Sequence, residues 1–177
     1  QWRRQVEAEA ESRFLALQSR IKPHFLFNSM NTIASLIPRD PGAAEQSIED
    51  LSDLLRSSLR DSRDTSSLGE ELALCRSYIR MEQQRLGQRL KVEWEVDNLP
   101  MDYDMPPLIL QPLLENAIYH GIEHLPQGGS IRVRGTADAN HLAIRIDNPV
   151  PAGGDTSPAR RDGHQMAPDN VRQRLAA

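Results

Sequence analysis

His24 and Asn28 stand four residues apart, one helical turn, in the string Arg20-Ile21-Lys22-Pro23-His24-Phe25-Leu26-Phe27-Asn28-Ser29-Met30-Asn31. A neutral imidazole nitrogen is a good nucleophile near pH 7. An amide one turn further along the same face can orient a phosphoryl group under attack. The pair therefore has the makings of a phosphoryl acceptor. A lone histidine would read as an ordinary surface residue, but the density of this string argues for chemistry.

The helix that carries the pair has a feature that would expose it. Before Pro23 the apolar positions include Ala10, Phe14, Leu17 and Ile21. The same rhythm continued would reach His24, Asn28, Asn31 and Ser35, all polar. The apolar stripe resumes instead at Leu26, Met30, Ile33 and Ile37, about two residues out of phase, which is roughly 200° around a helix. Proline inside a helix removes a donor and clashes with the preceding turn, so a kink is expected at Pro23. His24 and Asn28 would then point away from the core just past the bend.

Stepping outward, the first helix is predicted from Val6 to about Leu36 and ends at Pro38-Arg39-Asp40-Pro41-Gly42. A second runs from Ala43 to about Leu59, with Ile48, Leu51, Leu55 and Leu59 as its stripe. The short connection favours an antiparallel hairpin, and so little core suggests that two copies pair into a four-helix bundle. The stretch 61–67 suits a loop. Leu68-Gly69-Glu70-Glu71 opens a third helix with acidic residues at its positive end, and Leu72, Cys75, Ile79 and Leu86 form its stripe.

From Leu90 the period changes to two, with Val92, Trp94 and Val96 alternating with charged residues. Pro106-Pro107 introduces a predicted helix from Leu108 to Gly121. Strands follow at Ile131–Arg134 and Leu142–Ile146, then a loop from Pro149 to Pro168 and a helix beginning near Asp169. The fold class read from this order is α+β: a helical hairpin over 1–66, then an α/β sandwich over 67–177.

Bulk properties narrow the function. The 177 residues carry a formal net charge of −4 and no clustered basic stripe, so direct binding of nucleic acid is disfavoured. Cys75, the single cysteine, has no disulfide partner and no accompanying zinc-ligand set, which suits a reducing cytoplasm. No apolar run is long enough to span a bilayer. The chain begins without methionine and already in helical rhythm, as an excised piece of a longer protein would.

The string around His24 resembles the phosphoacceptor motif of the LytS-type sensor histidine kinases, matching at Ile21, Pro23, His24, Phe25, Leu26, Phe27, Asn28 and Asn31, with Met30 in a leucine position. The resemblance continues through Ser67–Leu72, Tyr78-Ile79, Glu82 and Arg85-Leu86 to Leu110-Gln111-Pro112-Leu113-Leu114-Glu115-Asn116-Ala117-Ile118-Tyr119-His120-Gly121. Within the family it is most similar to the alginate-regulating sensor branch. It implies a dimerising hairpin bearing the phosphate acceptor His24, followed by a GHKL-type ATP-binding sandwich shared with gyrase and Hsp90 that would continue past residue 177. It further implies a homodimer, a response regulator as partner (of the kind carrying a LytTR-type DNA-binding domain), and the cytoplasmic portion of an inner-membrane sensor.

For the site, the resemblance implies that Asn116 holds Mg²⁺ against the ATP phosphates. His120, one turn on, approaches the phosphate tail. Many histidine kinases place an acidic residue directly after the acceptor histidine; Phe25 stands there, which makes Glu115 a candidate base, or else a solvent-facing helix carboxylate. Ile144-Arg145-Ile146-Asp147-Asn148 matches the strand whose Asp147 would hydrogen-bond the adenine amino group. The glycines expected next are replaced by Pro149-Val150-Pro151, and proline cannot reproduce a glycine turn. Of the later phosphate-wrapping glycines only Gly163 remains, although Asn170 and its neighbours match. Two readings stay open: an active kinase, or a degenerate kinase-like dimeric module that controls a regulator with little autophosphorylation.

Overall fold

The computed structural model of the chain describes residues 23–59, 65–138 and 141–150. The chain divides into two compact units, Gln1–Asp61 and Ser62–Ala177.

In the first unit, helix α1 spans Pro23–Leu36 and helix α2 spans Pro41–Ser58. Asp40 caps α2 by accepting from the Ala43 N–H at 3.0 Å, and Pro41 occupies the first helical position, where its missing donor costs nothing. The second helix therefore starts two residues before its predicted position. The segment before Pro23, and with it most of the expected kink, lies outside the described residues.

The hairpin's inner face keeps Leu51, as expected, but otherwise differs from the expected stripes. Ser29 on α1 and Ala44, Ser47, Leu51, Leu54 and Ser58 on α2 are buried. Met30, Ile37, Ile48 and Leu59, expected inside, are exposed, Ile37 by 57% and Ile48 by 51%. On both helices the inward face sits one residue, about 100°, before the predicted one. Small residues make up much of the inward face, beside Leu51 and Leu54, while Met30, Ile37, Ile48 and Leu59 lie outside. Three of the buried hydroxyls are satisfied within α2: Ser47, Ser57 and Ser58 donate to the carbonyls of Ala43, Leu54 and Leu55.

The second unit opens with β1 (Ser66–Ser67), helix α3 (Leu68–Leu86) and strand β2 (Leu90–Glu95). It continues with β3 (Asp104–Met105), helix α4 (Leu110–His120), β4 (Gly129–Ala137) and β5 (Leu142–Asp147). The order of the main sheet is β2-β4-β5, with β2 and β4 parallel and β4 and β5 antiparallel. The crossover between the parallel strands contains α4, as parallel neighbours require. The small strands β1 and β3 pair antiparallel, a ladder too short to carry a sequence period.

Helix α3 starts with a complete capping box: Glu70 N–H donates to Ser67 Oγ while the Glu70 carboxylate accepts from the Ser67 N–H, both at 3.1 Å. Its predicted stripe of Leu72, Cys75, Ile79 and Leu86 is buried. With Leu114, Ala117 and Ile118 of α4 and Ile131 and Val133 of β4, these residues form the core between helices and sheet. The result is α+β, a helical hairpin unit and a mixed sheet layered with helices. Among the described residues no helix is long and apolar enough to cross a membrane.

Candidate functional site

His24 lies in the first turn of α1 and is exposed, as are Asn31 and Ser35 further along the same line, while Asn28 is half-buried. The Asn28 amide nitrogen stands 3.2 Å from His24 Nδ1 and 3.3 Å from Nε2. In either neutral tautomer one ring nitrogen lacks a proton, and the amide can donate to it. The other nitrogen keeps its proton. Asn28 thus holds the orientation of a ring that is otherwise open to solvent.

The second group of candidates lies on α4. Glu115, Asn116 and His120 are all half-buried. Asn116 and His120 share a face, one turn apart. Glu115 accepts from Gln111 Nε2 at 3.1 Å, a bond along its own helix. Tyr119 packs edge-on against His120 and His124, with ring centroids 4.8 and 5.9 Å away. Among the described residues no cluster of three or more histidine, cysteine or acidic side chains is placed to hold a metal. Gly163 and Asn170 lie outside the described residues.

Helix α4 is fixed at its start by a residue of another helix. It begins at Leu110, two residues after the predicted Leu108, and no side chain of its own caps it. Glu71 of α3, 1% exposed, supplies the cap. One carboxylate oxygen accepts from the Leu108 N–H at 2.7 Å, and the other from Ile109 and Leu110 at 2.8 and 3.0 Å. A carboxylate there neutralises donors that the helix cannot satisfy itself and complements the positive end of its dipole. Leu108 adopts φ 57°, left-handed backbone that leucine rarely takes, in the turn that delivers these three N–H groups. Sequence reading gave Glu71 only the role of an acidic residue in its own helix's first turn.

The other end of α4 is also tied down. Arg85 of α3 bridges Glu82 of its own helix and Glu123, just past α4. Burial pushes the Glu82 carboxyl up, against the opposing pull of Arg85. Arg89 donates to the carbonyls of Ile122, Glu123 and Leu125 at 3.4, 3.2 and 3.0 Å, placing a cation on carbonyls that follow the helix. Cys75 is wholly buried, and its thiol is pushed up by burial first and then by Glu71 and Glu115. It is an inert core residue.

At the end of β5, strand parity decides where the polar residues go. Ile146 pairs with Val133 on the core face, so Asp147, opposite Arg132, falls on the outer face. There its two oxygens accept from Arg134 Nη2 at 2.6 Å and Arg145 Nε at 2.7 Å. These two bonds hold its carboxyl below the usual range. The Arg134 half of this clamp leaves no local trace, because Arg134 and Asp147 are 13 residues apart and on different strands. Asn148, one residue on, turns back toward α4. A Cβ on Gly121 would stand 2.7 Å from the Asn148 amide nitrogen and 2.7 Å from the Pro149 carbonyl oxygen. Pro149, where a glycine was expected, is accommodated because its ring lies over Gly129, whose Cβ would be 2.6 Å from Pro149 Cγ.

Comparison with known proteins covers the segment that carries His24. Residues 12–90, which include His24, Asn28, Glu71 and Glu82, match the histidine kinase family. The chain is 38% identical over 144 residues to the sensor histidine kinase YpdA of Escherichia coli K12 and 31% identical over 148 residues to its sensor histidine kinase BtsS. It is 32% identical over 184 residues to the sensor protein LytS of Staphylococcus haemolyticus. These alignments cover 81%, 84% and 96% of the chain, but only 25%, 26% and 32% of the respective relatives. The exposed imidazole lies in the first unit and the α4 residues in the second.

Proposed function

We propose that this chain is the catalytic core of a two-component sensor, in which His24 takes the γ-phosphoryl group of ATP and hands it to an aspartate of a response regulator. The observation that carries the reading is an exposed His24 with the Asn28 amide on its ring nitrogens, inside a histidine kinase segment. Asn28 holds the ring in the orientation in which it meets the phosphoryl group. The transfer asks little of the protein beyond positioning and charge neutralisation.

Bound Mg²⁺-ATP supplies the phosphoryl group. In the second unit, which we read as a GHKL-type sandwich, Asn116 offers an amide oxygen suited to Mg²⁺, a hard cation that prefers oxygen ligands. His120 on the same face is suited to the phosphate tail. Gly163 and Asn170 complete the nucleotide site in this reading. Glu115 is a candidate base, although its bond to Gln111 equally suits a helix carboxylate. The exposed Met30, Ile37, Ile48 and Leu59 favour a second copy packed against the hairpin, since two helices alone leave these side chains in water. The response regulator and an inner-membrane sensor region in the same polypeptide belong to this reading too.

Incubation of the full-length protein with γ-labelled ATP and Mg²⁺ tests it. Acid-labile label on the wild type, absent from His24→Gln, is the expected result. No label and no nucleotide binding would leave the second reading, a kinase-like dimer that controls its regulator without autophosphorylation. What favours that reading is Pro149 seated over Gly129, where a flexible glycine turn was expected.

A further inference from the structure

Resting on the nucleotide reading above, we infer that Asn148, not Asp147, is the side chain that reads the purine base. The two residues end β5 side by side but face opposite ways. Asp147 stands on the outer face of the sheet, away from α4, opposite Arg132 in the ladder. Both of its oxygens are engaged, one by Arg134 and one by Arg145. For Asp147 to accept from a base amino group on the α4 side, it would have to leave two guanidinium groups and cross the sheet. Charge-assisted hydrogen bonds of this kind are among the stronger ones in proteins, and the strand's alternation fixes the side of the sheet.

Asn148 is in the complementary position. It is half-buried at the strand's exit and lies against Gly121, the residue that ends α4 directly after His120. The close approach depends on that glycine, because any Cβ there would fall 2.7 Å from the Asn148 amide nitrogen. The amide is oriented by its own neighbour, with Nδ2 donating to the Pro149 carbonyl at 3.0 Å. That is the only hydrogen bond Asn148 makes among the described residues. It leaves Oδ1 as an acceptor and one N–H as a donor.

An acceptor and a donor side by side on one planar amide match the adjoining amino group and ring nitrogen of adenine, the same pairing by which asparagine reads adenine in DNA. Asn148 Oδ1 accepts from the 6-amino group while Nδ2 donates to the ring nitrogen beside it. Pro149, locked in φ and seated over Gly129, holds the chain so that the amide keeps this aim. In this assignment the proline is part of the base site and not a defect in it.

The test compares ATP with purine riboside triphosphate, which lacks the 6-amino group, in calorimetric titrations of the full-length protein with Mg²⁺. The wild type is expected to prefer ATP by about tenfold, the worth of one good hydrogen bond. Asn148→Ala should bind the two equally. Asn148→Asp, which keeps an acceptor, should retain the preference, and so should Asp147→Asn. The ratio is read within each variant, so a partly unfolded sample does not disturb it. A preference lost in Asp147→Asn and kept in Asn148→Ala would overturn the inference while leaving the nucleotide reading intact, as would a wild type that binds both ligands equally. A wild type that binds neither would overturn both.

Discussion

Removing the Glu71 carboxylate should be the most damaging single change in the second unit, and its size can be worked from three bonds. Glu71 is 1% exposed and accepts the N–H groups of Leu108, Ile109 and Leu110 at 2.7–3.0 Å. In Glu71→Ala these donors lose an ionised partner in a site closed to water. A hydrogen bond to a charged group contributes about 1.5–3 kcal/mol, and burying an unpaired donor costs about 1–3 kcal/mol. The three share one carboxylate and do not add fully, so a loss of about 4 kcal/mol is expected, a large part of a typical domain's 5–15 kcal/mol. Glu71→Gln separates the contributions. Its amide oxygen can keep the Ile109 and Leu110 bonds, but its NH₂ then faces the Leu108 N–H, donor against donor, for a loss of about 2 kcal/mol. Urea denaturation gives both values from the midpoint and slope. Amide exchange should show 108–110 losing protection before the rest of α4. If Glu71→Ala lay within 1 kcal/mol of wild type, or if Gln and Ala cost the same, the cap would not be what holds this helix. Loss of ATP binding in Glu71→Gln alongside an intact fold would add that the cap positions Asn116.

Other predictions follow from the same geometry. Arg85→Met leaves Glu82, 4% exposed, without its cation, so stability should fall by about 3 kcal/mol, and by less in acid, where Glu82 can protonate; thermal melts at two pH values check this. The Glu82 carboxyl is already raised by burial, so its contribution is most favourable in acid and declines as pH rises from its unfolded value through its folded one. Asp147 behaves oppositely. Its depressed carboxyl contributes stability above the unfolded aspartate value that is lost as pH falls through the folded one, and Asp147→Asn should flatten the acid limb of the stability curve without moving the neutral-to-basic one. Ile48→Glu, a charge on the exposed apolar face of α2, should convert a dimer to a monomer in sedimentation velocity while helix content stays constant. Asn28→Ala should slow labelling of His24 by roughly ten- to a hundredfold with no change in melting temperature, because it orients a ring and supports no core.

The sequence alone determined whatever depends on local period and local chemistry. Alternation set β2, β4 and β5, the acidic first turn after Leu68-Gly69 set the start of α3, and the Pro23–Asn31 string marked His24 and Asn28 as one turn apart. Such features involve residues within a few positions of each other, and the 3.6- and 2-residue periods make them visible in one dimension. Tertiary structure decided the rest. Which side of each hairpin helix turns inward hung on a rotation of about 100°, which the sequence period alone does not settle. Glu71 could not be told from a cap of its own helix until the fold brought Leu108 to it, 37 residues away. Sequence reading singled out Asp147; only the pairing of Ile146 with Val133 sends it to the arginines and Asn148 toward α4. Long-range hydrogen bonds and strand register leave no period in a sequence, because the partners that define them are joined by the fold and not by the chain.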